Sequence, residues 1–266
     1  MPFFPDLFTG QLLHMMDVKE DPELQSLAYH VFRHLPNIPY PSEKNSGFIQ
    51  TLIQIGKNSP SWHQRLRVMI NIQIMYFRRL FLVSPEDRDR LFECVAGMLQ
   101  DSQHEVRVGA SATLSGMIRC SPAHLRQDMV SQLQKQFTQI LADNPLPKRN
   151  RNQRSALASG TPSGTGTPTP EHTGLIIKRH GAVLGLGALI QAFPYSSPPP
   201  SWMPEALTTL SIRAASDPGI VGSSVKSIIS DFKKTRQDTW HIDAKVSFFS
   251  RFLFTYIHIG SISNCP

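Results

Sequence analysis

Four groups of residues in this 266-residue chain have the types that metal, nucleotide or anion chemistry needs. His30 and His34 lie four apart, one helical turn, so two imidazoles on one face could begin a metal site. No third ligand stands at a suitable spacing, and the pair reads as surface or groove histidines. Cys94, His104, Cys120 and His124 offer thiols and imidazoles, but their spacings match no zinc module. Cys94 and Cys120 therefore read as buried structural thiols. Gly181, Gly185 and Gly187 could suggest a nucleotide loop, yet no Gly-Lys-Ser/Thr follows and no strand precedes them. Small residues at that spacing more simply let two helices approach closely. The basic run Lys148, Arg149, Arg151 and Arg154 suits nuclear import or an acidic partner.

Nucleophilic catalysis has no visible basis. There is no Gly-x-Ser-x-Gly elbow, no catalytic Cys/His signature and no spaced carboxylate pair. No catalytic, metal-binding or cofactor-binding residue is assigned, no cofactor is expected, and the chain reads as something other than an enzyme.

The elements that must carry these residues are helices. Leu91, Phe92, Val95, Met98 and Leu99 form one stripe at helical spacing. Leu24, Leu27, Ala28, Val31, Phe32 and Leu35 form another, as do Leu125, Met129, Leu133, Phe137 and Ile140, and then Val225, Ile228, Ile229 and Phe232. Most of the 21 prolines sit between stripes, where a helix start or end tolerates them. No apolar run reaches the roughly 18 residues of a membrane span. Ile72–Val83 is broken by Arg78 and Arg79, and Ala182–Phe193 is short. No signal peptide is visible, and three distant cysteines suit a reducing compartment rather than a disulfide framework. A soluble intracellular protein is expected. A formal charge of +7 permits an acidic partner without the density of a dedicated DNA binder, so neither DNA nor membrane is expected as a partner.

The helices recur. Asp21-Pro22, Ser59-Pro60-Ser61 and Asp101-Ser102 open helices at steps of about 40 residues, and Asp217-Pro218 continues the series once a polar insert is removed. A helix pair repeated at that period is the HEAT/armadillo signature. In the third opening, Asp101 can cap the helix, the Val106-Arg107 pair straddles the boundary between stacked repeats, and Ala110 and Leu114 pack inward. The fold class expected is all-α, a HEAT/armadillo-like α-solenoid with a disordered insert that is basic and rich in Pro, Thr and Gly. The expected segments are repeats at 1–142, a disordered linker at 143–174, further repeats at 175–244, and an aromatic, Ser-rich divergent tail at 245–266.

Several blocks carry a resemblance: Ser61-Trp62-His63-Gln64-Arg65, Glu105-Val106-Arg107, Ala112–Gly116, Lys178–Ala188, Ser201–Pro204 and Asp231–Trp240. In order and spacing, the chain resembles the C-terminal region of the large single-chain HEAT-repeat proteasome activators, the proteasome activator complex subunit 4 family. The resemblance implies a cap seated on the α ring of the proteasome core particle, opening its gate for ubiquitin-independent degradation. It further implies acetylated histones among the substrates, residence in nucleus and cytoplasm, and links to DNA repair and sperm development. The family places an acetyl-lysine-reading Asn-Phe pair where this chain has Ser121 and Pro122. Neither residue supplies the amide donor such a reader uses. The family also ends in a hydrophobic-Tyr-x tail that enters core-particle pockets, whereas this sequence changes character after Ala244 and runs to Ser263-Asn264-Cys265-Pro266. A longer parent is the expectation that follows, with an alternative splice, a retained intron or a gene-model error after about Ala244 as the origin of the tail.

Overall fold

A computed structural model describes residues 5–79, 82–146, 170–196 and 198–239. Ten α-helices and one 3-10 turn are found among them, and no strand. The helices are α1 (Pro5–Met15), α2 (Pro22–His34), α3 (Ser42–Asn58), α4 (Trp62–Arg79), α5 (Pro85–Met98), α6 (His104–Cys120), α7 (Ala123–Asp143), α8 (Pro170–Gln191), α9 (Met203–Arg213) and α10 (Ile220–Thr235). The all-α, HEAT-like class read from the sequence is the class observed.

Helix starts follow the punctuation of the sequence. The Asp21 carboxylate accepts from the Leu24 amide at 2.9 Å, and Pro22 occupies the first turn of α2. Ser84 accepts from the Asp87 amide at 3.1 Å, with Pro85, Glu86 and Asp87 behind it at the positive end of α5. Such caps satisfy amides the helix leaves orphaned, at about 1 kcal/mol each. Asp101 acts one step earlier than expected. It accepts from the Gln103 amide at 2.8 Å, so it fixes the turn before α6, and Gln103 holds the cap position.

The chain divides into two units, residues 1–130 and 131–266. In the first, α1 packs on α2, α3 on α4 and α5 on α6, while α1–α3–α5 and α2–α4–α6 line up as two layers. That is three stacked helix pairs, and their joint core holds Phe32, Phe48, Leu52, Val68, Ile72, Leu91, Val95 and Leu114. The α2 stripe is only partly used. Ala28, Phe32 and Leu35 are buried, whereas Leu27 and Val31 remain 62% and 42% exposed. Periodicity marks an apolar face wider than the side that α4 covers.

In the second unit α8 packs against α9 and α10. The boundary between the units falls inside α7, ahead of the 142/175 division drawn from composition. The reason is local: from Leu133 onward α7 serves α8, with Phe137 lying under Gly185 and the Leu141 carbonyl accepting from Arg179. Asp143 and residues 170–174 were assigned to the linker, yet they are helical, in α7 and α8. Pro170 at the start of α8, with Glu171 beside it, makes a competent first turn despite the polar composition around it.

Contrary to the expectation from run length, α8 is long and apolar enough to cross a membrane. Its residues Arg179–Ile190 are all buried inside the protein, and Arg179 is engaged by a carboxylate, which accounts for the same composition as a core helix.

Candidate functional site

The positions flagged by type and spacing do not converge. His30 and His34 are exposed on α2. Cys94 is buried and Cys120 is exposed at the end of α6, so only one of the two thiols is the buried kind expected. Burial pushes the Cys94 thiol up to about 11, well above neutrality, which keeps it protonated and unreactive. No group of three or more His, Cys, Asp or Glu among the described residues is placed to hold a metal. Lys148, Arg149, Arg151 and Arg154 lie outside the described residues, as does the tail after Thr239.

The glycines of α8 do what their spacing suggested. A Cβ on Gly185 would stand 2.4 Å from the Phe137 ring, and one on Gly187 would stand 2.6 Å from Ile228 Cδ1. Each lets a neighbouring helix come close.

Ser121 and Pro122 form the joint between α6 and α7. The Ser121 hydroxyl donates to the Met117 carbonyl at 2.8 Å, so the Tyr76 phenol, 2.6 Å away, is the donor to it. Burial raises the Tyr76 pKa, and the bond to Ser121 offsets part of that rise. The Arg126 guanidinium donates to the Ser121 carbonyl at 2.7 Å and to the Arg119 carbonyl at 3.0 Å. Ser121 is 1% exposed and occupied on every side by its own fold.

The arrangement that sequence reasoning missed is a ladder of arginines at the turns, Arg65 half-buried and Arg107 and Arg179 buried. Arg65, in the first turn of α4, places Nε 2.6 Å and Nη2 2.9 Å from the two carboxylate oxygens of Asp101 in the next pair. It also donates to the Ser59 carbonyl of its own turn at 2.7 Å. Burial alone would raise the Asp101 pKa, but the Arg65 fork and the Gln103 amide outweigh it and hold the carboxyl below its usual range. Arg107 returns to the same turn, donating to the carbonyls of Asp101 at 2.7 Å and Ser102 at 2.9 Å. These two bonds close the turn that opens α6.

The second unit repeats the device. Arg179 is 2% exposed and donates from Nε to Asp217 at 2.7 Å, and from Nη1 to the carbonyls of Asn144 at 2.7 Å and Leu141 at 3.1 Å. Its Nη2 reaches the Arg213 carbonyl and the Asp217 carboxylate. A guanidinium offers five donors in a rigid fork, and here all of them have acceptors. The signal was present in the sequence: Arg65 precedes Asp101, and Arg179 precedes Asp217, by close to one repeat.

Each unit thus has its turns clipped by an Arg–Asp rung, Arg65–Asp101 in the first and Arg179–Asp217 in the second. Residues 176–255 match the family model described as proteasome activator complex subunit 4-like, C-terminal. The chain is 35% identical over 194 residues to the proteasome activator complex subunit 4 of Homo sapiens, covering 72% of this chain and 10% of that protein. It is similar to the proteasome activator subunit 4 of Arabidopsis thaliana, at 28% identity over 239 residues, covering 89% of this chain and 12% of that one. The proteasome activator BLM10 of Saccharomyces cerevisiae is 34% identical over 173 residues, covering 65% and 7%.

The chain belongs to the proteasome activator complex subunit 4 family. Its matched part spans about a tenth of the length of these relatives. The family match continues past Ala244, where the sequence reading placed the start of a divergent tail, to Thr255. Arg179 on α8 and Asp217 ahead of α10 both lie inside the matched region, which begins six residues into α8.

Proposed function

We propose that this chain forms a proteasome-activating surface: a stack of helix pairs that contacts the proteasome core particle and regulates its peptidases without performing hydrolysis itself. The observation that supports this reading is the match of α8–α10 to the family's C-terminal model, together with relatives named as proteasome activators from animal, plant and yeast. The proposal extends to ubiquitin-independent degradation that includes acetylated histones, in nucleus and cytoplasm, serving DNA repair and sperm development. The position of the family's acetyl-lysine-reading pair falls on Ser121 and Pro122, where the Ser121 hydroxyl and carbonyl are already bonded within the fold, which weighs against reading of acetyl-lysine there.

The test is direct. The 266-residue chain is mixed with purified core particle, and co-elution and cleavage of a fluorogenic peptide are followed. Co-elution with faster cleavage is the expected result, and failure of both overturns the reading. Substituting Lys148, Arg149, Arg151 and Arg154 with Ala should shift a fluorescent fusion out of the nucleus. An unchanged distribution would assign these charges another role.

A further inference from the structure

The connection from α8 to α9 has a composition that neither the stack nor its ladder explains. It reads Phe193-Pro194-Tyr195, and later Pro198-Pro199-Pro200-Ser201-Trp202. Its two ends are fastened. The Phe193 and Trp202 rings meet edge to face, with centroids 5.6 Å apart and planes at 73°. Arg236, itself 2% exposed, reaches from the end of α10 to the Pro194 carbonyl at 3.4 Å. The Met203 amide donates to the Pro200 carbonyl at 3.0 Å, which holds the last proline against α9. Between these fastenings Tyr195 stands 82% exposed and Pro198 is exposed, with Pro199 and Pro200 half-buried.

A loop tied at its base has already given up much of the entropy that binding would cost. The proline rings remove more. Each fixes its own φ, and Pro198 and Pro199, which both precede a proline, are confined to the extended region as well. These restrictions bias Pro198–Pro200 toward polyproline II geometry, with Tyr195 three residues ahead of the first proline in sequence. That geometry is read by shallow grooves lined with aromatic side chains.

We infer that the loop between α8 and α9 is a docking site for a partner domain with an aromatic-lined, proline-reading groove, with Pro198–Pro200 as the ridge and Tyr195 as the flanking anchor. This inference is independent of proteasome binding. It singles out grooves that take adjacent prolines, because no Pro-x-x-Pro spacing occurs within the loop.

The test titrates the full 266-residue chain with three purified probes: a WW domain, an EVH1 domain and an SH3 domain. Saturable binding to the WW or EVH1 domain is expected. It should weaken about tenfold or more in Pro199→Ala/Pro200→Ala, the equivalent of about 1.4 kcal/mol. Tyr195→Ala serves as the second variant, since a ring so exposed can be removed without disturbing the core, and it should weaken binding severalfold with the circular dichroism spectrum unchanged. No binding to either domain at about millimolar concentration, binding to the SH3 domain only, or binding that both variants retain at full strength would each overturn the inference.

Discussion

At the scale of the residue, the Arg65–Asp101 rung sets a pH dependence whose sign is fixed. The Asp101 carboxyl titrates below its ordinary value, chiefly because the Arg65 fork and the Gln103 amide overcome the effect of burial. A group depressed on folding contributes stability that is complete above its unfolded pKa of about 3.9 and is lost as pH falls through the folded value. Asp101→Asn should therefore cost about 1.5–3 kcal/mol near neutrality, the range for hydrogen bonds to a charged group. The difference from the parent chain should shrink as pH falls below about 4. Urea unfolding at pH 7 and at pH 3 measures it, and a gap that stays constant between the two would show that the rung does not titrate. The same scale explains why the ladder was hard to see beforehand. Composition presents Arg65 and Arg179 as ordinary surface charges, and only the Asp one repeat further on gives either a reason to turn inward. Cys120 failed for a related reason: position on a helix predicts a face, while its place in the final turn of α6 leaves it outside the core.

At the scale of the element, the close approach of α7 and α8 rests on one missing side chain. In an exposed helix, Gly→Ala would gain about 1 kcal/mol of propensity. At Gly185 the added Cβ meets three atoms of the Phe137 ring at 2.4 to 2.7 Å, and that ring is itself buried. Overpacking of this kind costs about 1–3 kcal/mol, so Gly185→Ala should be destabilising in spite of its propensity. The decisive measurement is a double-mutant cycle with Phe137→Leu. The smaller side chain should recover part of the loss, and strictly additive effects would place the strain elsewhere. The helices themselves were largely legible. The stripes at Leu91–Leu99 and Val225–Phe232 fold as written, because a period of 3.6 survives whatever packs on it. Residues 170–174 were misread because their polar composition resembles the insert, although Pro170 and Glu171 are good first-turn residues. Leu27 and Val31 show the converse limit: the period reveals that a face is apolar, and only the neighbours decide how much of it is covered.

At the scale of the whole molecule, each unit behaves as a short array in which a helix pair depends on its immediate neighbours. In the first unit, α3 and α4 are covered on both sides by other pairs, whereas α1 and α2 have neighbours on one side and leave Leu7, Leu27 and Val31 exposed. Native-state hydrogen exchange should therefore run in order, with amides of α1 and α2 opening first and those of α3 and α4 last. Uniform protection across all six helices would mean that the unit opens only as a whole. The stacking architecture could be read from the 40-residue step of its opening dipeptides. The division inside α7 could not, since it depends on which residues of one helix meet α8, as Phe137 and Leu141 do.

The rungs in the first unit all lie where one helix of a pair turns into the next: Arg67 on Asp17, Arg65 on Asp101 and Arg107 on its own turn. The opposite edge is tied differently, by the Tyr76 phenol on Ser121 and the Arg78 guanidinium on the Asn37 amide oxygen. Parting those breaks no ion pair, whereas parting Arg65 from Asp101 separates two largely desolvated charges. The first unit thus has one charged hem and one neutral hem, and raised salt or low pH should loosen only the charged one.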